Sequence, residues 1–159
     1  MPNIRLLLIS RDDILSVVSG DSGDKAFRLL AALTRLGYHL LATAPQPDQW
    51  TGEHGSPDDA LLGPNSIRKR ISDAGGVLDG VYYVRRSMLT QKRNRKDALR
   101  DILQRYAIKP EHAVLLSSKR NFIKAGQKLG LETTLLDHYH DLVHKLNELN
   151  EQGAGVFDS

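Results

Sequence analysis

Ile4 to Ile9 is an apolar run interrupted only by Arg5, and apolar residues then recur at helical spacing from Ala26 to Leu36, where Gly37 supplies a helix stop. This opening predicts a strand followed by a helix. Short apolar runs at His39 to Thr43, Val81 to Val84, Ala113 to Leu116 and Thr133 to Leu136 predict four more strands. Helical patterns separate them at Ser66 to Ala74, Lys96 to Tyr106 and Asn121 to Leu129, and Tyr139 to Leu149 closes the series. Such alternation predicts an α/β domain: a doubly wound parallel sheet of about five strands with helices on both faces. Between Pro45 and Pro64 lie four prolines and three glycines, which predict a loop-rich excursion between the second and third strands. Residues 1–152 read as one domain and 153–159 as a flexible C-terminal tail.

At 159 residues the chain suffices for one well-filled core, and its 40% hydrophobic and 26% charged residues are the balance of a folded globular protein. No apolar run reaches the roughly 18 residues that span a bilayer, and Met1 to Ser10 is too short for a secretory leader, so a cytoplasmic protein is expected. There is no cysteine, which excludes thiolate catalysis, disulfides and cysteine-ligated zinc. The net charge of +3 hides an uneven distribution. From Arg85 to Lys128 there are 13 Lys or Arg against Asp97, Asp101 and Glu111; beyond Lys128, six acidic residues face Lys145 alone. The basic middle implies an acidic ligand or partner, or else a set of solvated helix faces.

Three local features bear on chemistry. His140-Asp141-Leu142-Val143-His144 places two histidines one helical turn apart beside a carboxylate, the spacing of a zinc-protease helix, but both lie opposite the apolar stripe of Tyr139, Leu142, Val143, Leu146 and Leu149. Solvated histidines are the simpler reading. The basic stretch Gln91 to Lys96 lacks interleaved aromatics, so it predicts no dedicated nucleic-acid reading. Trp50, in the proline-rich loop, is either an anchor for a protein partner or a cover for the sheet.

Leu8-Ile9-Ser10-Arg11-Asp12-Asp13-Ile14-Leu15 resembles the opening Asp-x-Asp-Gly-Thr-Leu motif of the haloacid-dehalogenase-like phosphatases. Leu36 to Gln46 is similar to that family's second motif. Leu78-Asp79-Gly80-Val81-Tyr82-Tyr83, with Lys92-Arg93 after it and Ala113 to Gly130 as a final strand, loop and helix, resembles the histidinol-phosphate and heptose-bisphosphate phosphatase branch. The resemblance implies a Rossmannoid fold without a large cap domain. It also implies that Ser10 stands where the family has its nucleophilic aspartate, and that Asp12 stands at the acid/base position.

The departures from that pattern shape the functional expectation. Serine is a poorer nucleophile and Mg²⁺ ligand than a carboxylate, and Asp13 replaces the glycine of a tight turn. Ala44-Pro45 stands where the phosphate-binding Thr-Asn would be, with Thr43 beside it. Ser117-Ser118-Lys119-Arg120-Asn121-Phe122 replaces the Gly-Asp-x-x-x-Asp of the fourth motif, and Val84-Arg85-Arg86 replaces the zinc loop. Neither zinc nor a cofactor is expected, and Mg²⁺ only weakly if at all. Ser117, Ser118 and Asn121 are expected to open a helix whose N-terminus favours an anion. The sequence therefore predicts a pseudophosphatase that holds a phosphorylated small molecule or another anion through Ser10, Thr43, Lys92, Arg93, Ser117, Ser118 and Lys119. Two alternatives stay open: an atypical phosphatase using Ser10 and Asp12, with help from Asp12 or Asp13 as base, and a basic-surfaced scaffold for an acidic partner.

Overall fold

The computed structural model describes residues 5–18, 23–45, 67–84 and 92–157. Five strands, β1 (Arg5–Ser10), β2 (Tyr38–Pro45), β3 (Gly80–Val84), β4 (Ala113–Ser117) and β5 (Glu132–Leu135), form one parallel sheet in the order β3-β2-β1-β4-β5. All five predicted strands are present, with ends shifted by one or two residues. The helices are α1 (Arg11–Val18), α2 (Gly23–Arg35), α3 (Ile67–Asp73), α4 (Lys92–Arg105), α5 (Arg120–Leu129) and α6 (Tyr139–Phe157), and a short 3₁₀ turn (Pro110–His112) leads into β4. Among the described residues no helix is long and apolar enough to cross a membrane, and no cap domain is inserted.

Side chains alternate along each strand, and this splits the core in two. Leu7 and Ile9 of β1, Leu40 of β2 and Val114 and Leu116 of β4 face Phe27, Leu30 and Leu33 of α2, Ile67 and Ile71 of α3, and Leu142, Leu146 and Leu149 of α6. The intervening Leu6, Leu8, Leu41 and Leu115 face Leu99, Ile102 and Leu103 of α4 and Phe122, Ile123 and Ala125 of α5. Because both faces are covered, β1 reads as an unbroken apolar run, and its four central residues are fully buried. Gly37 and Gly130 take left-handed backbone (φ 102° and 93°) where α2 and α5 end, a conformation that costs other residues a Cβ clash.

The structure corrects four expectations. The segment after β1 is the helix α1, with Asp13 in its first turn, where the family motif has the glycine of a tight turn. Helix α4 begins at Lys92, one turn before the expected Lys96, so Lys92 and Arg93 open a helix. Helix α5 starts at Arg120 with Lys119 at the N-cap and no side-chain cap, so Ser117, Ser118 and Asn121 do not cap it. Helix α6 continues to Phe157 and takes in most of the segment read as a tail. The proline-rich loop with Gln46 and Trp50, and Arg85, Arg86 and Gln91, lie outside the described residues.

Candidate functional site

Strand order reverses beside β1, with β2 and β3 on one side and β4 and β5 on the other. At such a switch point the connections after β1 and β4 leave in opposite directions, and a crevice opens at the carboxyl ends of these strands. A cavity of about 150 Å³ occupies that position. Leu115, Leu116, Ala44 and Phe122 give it an apolar floor; Ser10, Thr43, Ser117 and Ser118 supply hydroxyls, and Asp12, Asp13 and Lys119 the charges. Register explains why residues so distant in sequence meet. Ser10 ends β1 directly beside Thr43 of β2, while Ile9 pairs with Leu116, one residue before Ser117.

Ser10 precedes the first helical residue of α1, and its Oγ accepts the backbone N–H of Asp13 at 3.0 Å, the contact of an N-cap serine. In a reciprocal capping box the acid at the third helical position would turn back to the cap. Asp13 instead crosses the crevice, where its Oδ2 accepts the backbone N–H of Ser118 at 3.1 Å. Ser117 Oγ accepts the N–H of Lys119 at 3.0 Å, which fixes the turn between β4 and α5. Asp13 and Ser117 are the two buried polar side chains among the described residues, at 8% and 5% exposure, and both line this cavity. Buried polar groups need partners, and each here is held by a backbone donor or holds one.

Asp12 behaves differently. Its side chain is 66% exposed and pairs with Arg11 at 3.3 Å, so it sits at the mouth of the cavity and not in its floor. The cavity thus gathers Ser10, Asp12, Thr43, Ser117, Ser118 and Lys119 of the residues singled out by sequence. Lys92 and Arg93 are placed only by backbone, in the first turn of α4, and their side chains lie outside the described residues. Asp13 is the member that sequence reasoning treated only as a lost glycine or a supporting base. Its signal was a second acid immediately after Asp12, more negative charge than one helix start needs.

Mg²⁺ requires near-octahedral oxygen ligands, usually including one or two carboxylates. One of the two carboxylates is paired with Arg11 and the other with the Ser118 N–H, and the remaining side-chain oxygens are neutral hydroxyls. Among the described residues no group of three or more His, Cys, Asp or Glu could hold a metal ion. Asp12 and Asp13 are the carboxylates that the described lining offers to a cation, and each already has a partner. At the other candidate, Asp141 Oδ2 accepts the N–H groups of Asp137 and His138, which caps the start of α6, while His140 and His144 are exposed.

No protein-family model matches the chain, and no curated protein sequence matches it. Solved structures do. An uncharacterized protein from Corynebacterium glutamicum is similar at a TM-score of 0.61 and 16% identity, over 94% of this chain and 96% of that one. The D,D-heptose 1,7-bisphosphate phosphatase from B. bronchiseptica, complexed with magnesium and phosphate, is similar at 0.55 and 16%, over 83% and 80%. The corresponding phosphatase from Burkholderia thailandensis is similar at 0.50 and 17%, over 89% and 97%. At these identities the likeness establishes the fold. The chain has the haloacid-dehalogenase-like fold, and what its crevice does must be argued from its own residues.

Proposed function

We propose that this protein is a pseudophosphatase that holds a phosphorylated small molecule or another anionic group in the crevice between β1 and β4, without Mg²⁺ and without efficient hydrolysis. The observation that carries the reading is the state of Ser10. Its oxygen serves as the N-cap of α1, and its partner is the Asp13 N–H, a donor that cannot remove the serine proton. Asp12, the residue at the acid/base position, is turned to Arg11 at the rim. Neither arrangement prepares an attack on phosphorus, and the cavity's donor set offers little to neutralise the charge of phosphoryl transfer.

The same geometry favours binding. With the oxygens of Ser10 and Ser117 already accepting backbone N–H groups, each hydroxyl proton is left to donate, and Thr43 adds a third. Lys119 brings a cation to the cavity wall. A volume of about 150 Å³ is small beside the several hundred typical of metabolite pockets, which suits an anionic headgroup with the rest of the ligand outside.

A phosphatase screen over an aryl phosphate, sugar bisphosphates and histidinol phosphate, with and without Mg²⁺, tests this directly. The expected outcome is no turnover above background and, in a thermal-shift series that adds phosphodiesters to these monoesters, saturable stabilisation by one class of phosphate compound. Metal-dependent turnover that vanishes in Asp12→Asn would overturn the proposal and restore the atypical phosphatase. The scaffold alternative has its own support in α5, whose cations Arg120, Lys124 and Lys128 are all exposed and which contains no acidic residue.

A further inference from the structure

The charge inside the crevice points to the kind of anion it accepts. Asp13 is 8% exposed, so its carboxylate is poorly screened by water, and it lies in the wall of the cavity. It already holds the Ser118 N–H, a main-chain donor facing the crevice. An incoming anion therefore meets a resident carboxylate where a free donor would otherwise be. Among the described residues that line the cavity, Asp12 is paired with Arg11 at 3.3 Å and Lys119 is a cation. Asp13 is buried and Lys119 exposed, so the carboxylate's repulsion is the less screened of the two; it acts about twice as strongly on a dianion as on a monoanion, and the hydroxyls of Ser10, Thr43 and Ser117 can meet a single charge.

We infer that Asp13 sets the charge of the ligand, so that the crevice takes a singly charged anionic group such as a phosphodiester and rejects the dianion of a phosphomonoester. This inference rests on the crevice being a binding site, as proposed above. It also gives Asp13 a role beyond structure. A cap acid that returned to Ser10 would stabilise α1 equally well, but it would leave the Ser118 N–H free for a ligand oxygen.

Dimethyl phosphate and methyl phosphate separate the two charges with little difference in shape. At pH 8 the first is a monoanion and the second a dianion, since the second ionisation of a phosphomonoester lies near about 6. Affinity would be measured by calorimetry on the unmodified protein and on Asp13→Asn, which keeps an acceptor for the Ser118 N–H and removes the charge. The expected result is that the unmodified protein binds dimethyl phosphate tighter by on the order of tenfold, the scale of one extra unscreened repulsion, and that Asp13→Asn abolishes or reverses the preference. Equal or tighter binding of methyl phosphate by the unmodified protein would overturn the inference while leaving the crevice as a binding site. Binding of neither compound would overturn both. The comparison within the unmodified protein decides the matter even if Asp13→Asn folds poorly.

Discussion

Ser10 and Asp13 are three residues apart, yet between them they tie together three segments of the chain. Ser10 Oγ stops the first orphan N–H groups of α1 from going unpaired, and Asp13 fastens that same helix start to the loop after β4, 105 residues further on. Removing the cap has a definite cost. Ser10→Ala is expected to lower stability by about 1 kcal/mol, the usual value of a serine N-cap, and to lower the melting temperature by roughly 2–4 °C. Thermal unfolding followed by circular dichroism checks it, and an unchanged melting temperature would mean that Ser10 is not a cap. At this scale the sequence was informative about position and less so about role. Ser10, Asp12, Thr43 and Ser117 to Lys119 were identified from motifs that sit at strand ends, and all line the cavity. The Asp13 contact was not legible, because its partner is a backbone amide chosen by sheet register and no local spacing encodes it.

Among the elements, the strands were the most legible and the helix starts the least. Burial on both faces makes each central strand a plain apolar run, whereas helix starts depend on caps that short polar residues satisfy in several ways. Helix α1 was missed because Arg11, Asp12 and Asp13 look like a turn when no long apolar stripe follows them. Helix α6 shows the opposite case. Asp141 was noticed for its neighbours His140 and His144, but its carboxylate accepts the N–H groups of Asp137 and His138, and the Asp141 N–H returns to the His138 carbonyl at 2.9 Å. The Asp141 carboxylate thus caps the two N–H groups that precede the helix, one side of a capping box, and this fixes where the helix starts. The backbone hydrogen bond from His138 is the main reason the Asp141 pKa is lowered, with that from Asp137 and the nearby histidines adding to it. A lowered carboxyl pKa contributes stability that is fully present above the unfolded value of about 3.9 and is lost as pH falls through the folded one. The melting-temperature gap between the unmodified protein and Asp141→Ala should therefore be constant from neutral pH down to about pH 5 and shrink as the pH falls below about 4. A gap that persists undiminished at low pH would show that the charged carboxylate is not what caps α6.

Across the whole molecule, the crevice follows from topology: the order β3-β2-β1-β4-β5 leaves a gap at the ends of β1 and β4 whatever residues line it. This is why the location could be read from sequence although Ser10, and not an aspartate, ends β1 there. The charge bias is a separate property of one face. The excess of 13 cations over three acids between Arg85 and Lys128 falls largely on α4 and α5, which cover the same side of the sheet. Part of it is met locally, by Arg100 with Asp97 at 3.5 Å and Arg105 with Asp101 at 3.2 Å, exposed pairs that contribute little to stability. Lys124 makes no ion pair among the described residues and does not line the cavity. Surface attraction and crevice binding should therefore come apart. Combining Arg100→Gln with Lys124→Gln is expected to lower the salt concentration at which the protein leaves a heparin column while keeping dimethyl phosphate affinity within about twofold, because both side chains are exposed to screening salt and neither lines the cavity. Were phosphate affinity to fall in step with heparin retention, anion binding would belong to the basic face as a whole, and the scaffold reading would replace the crevice as the account of what this protein does.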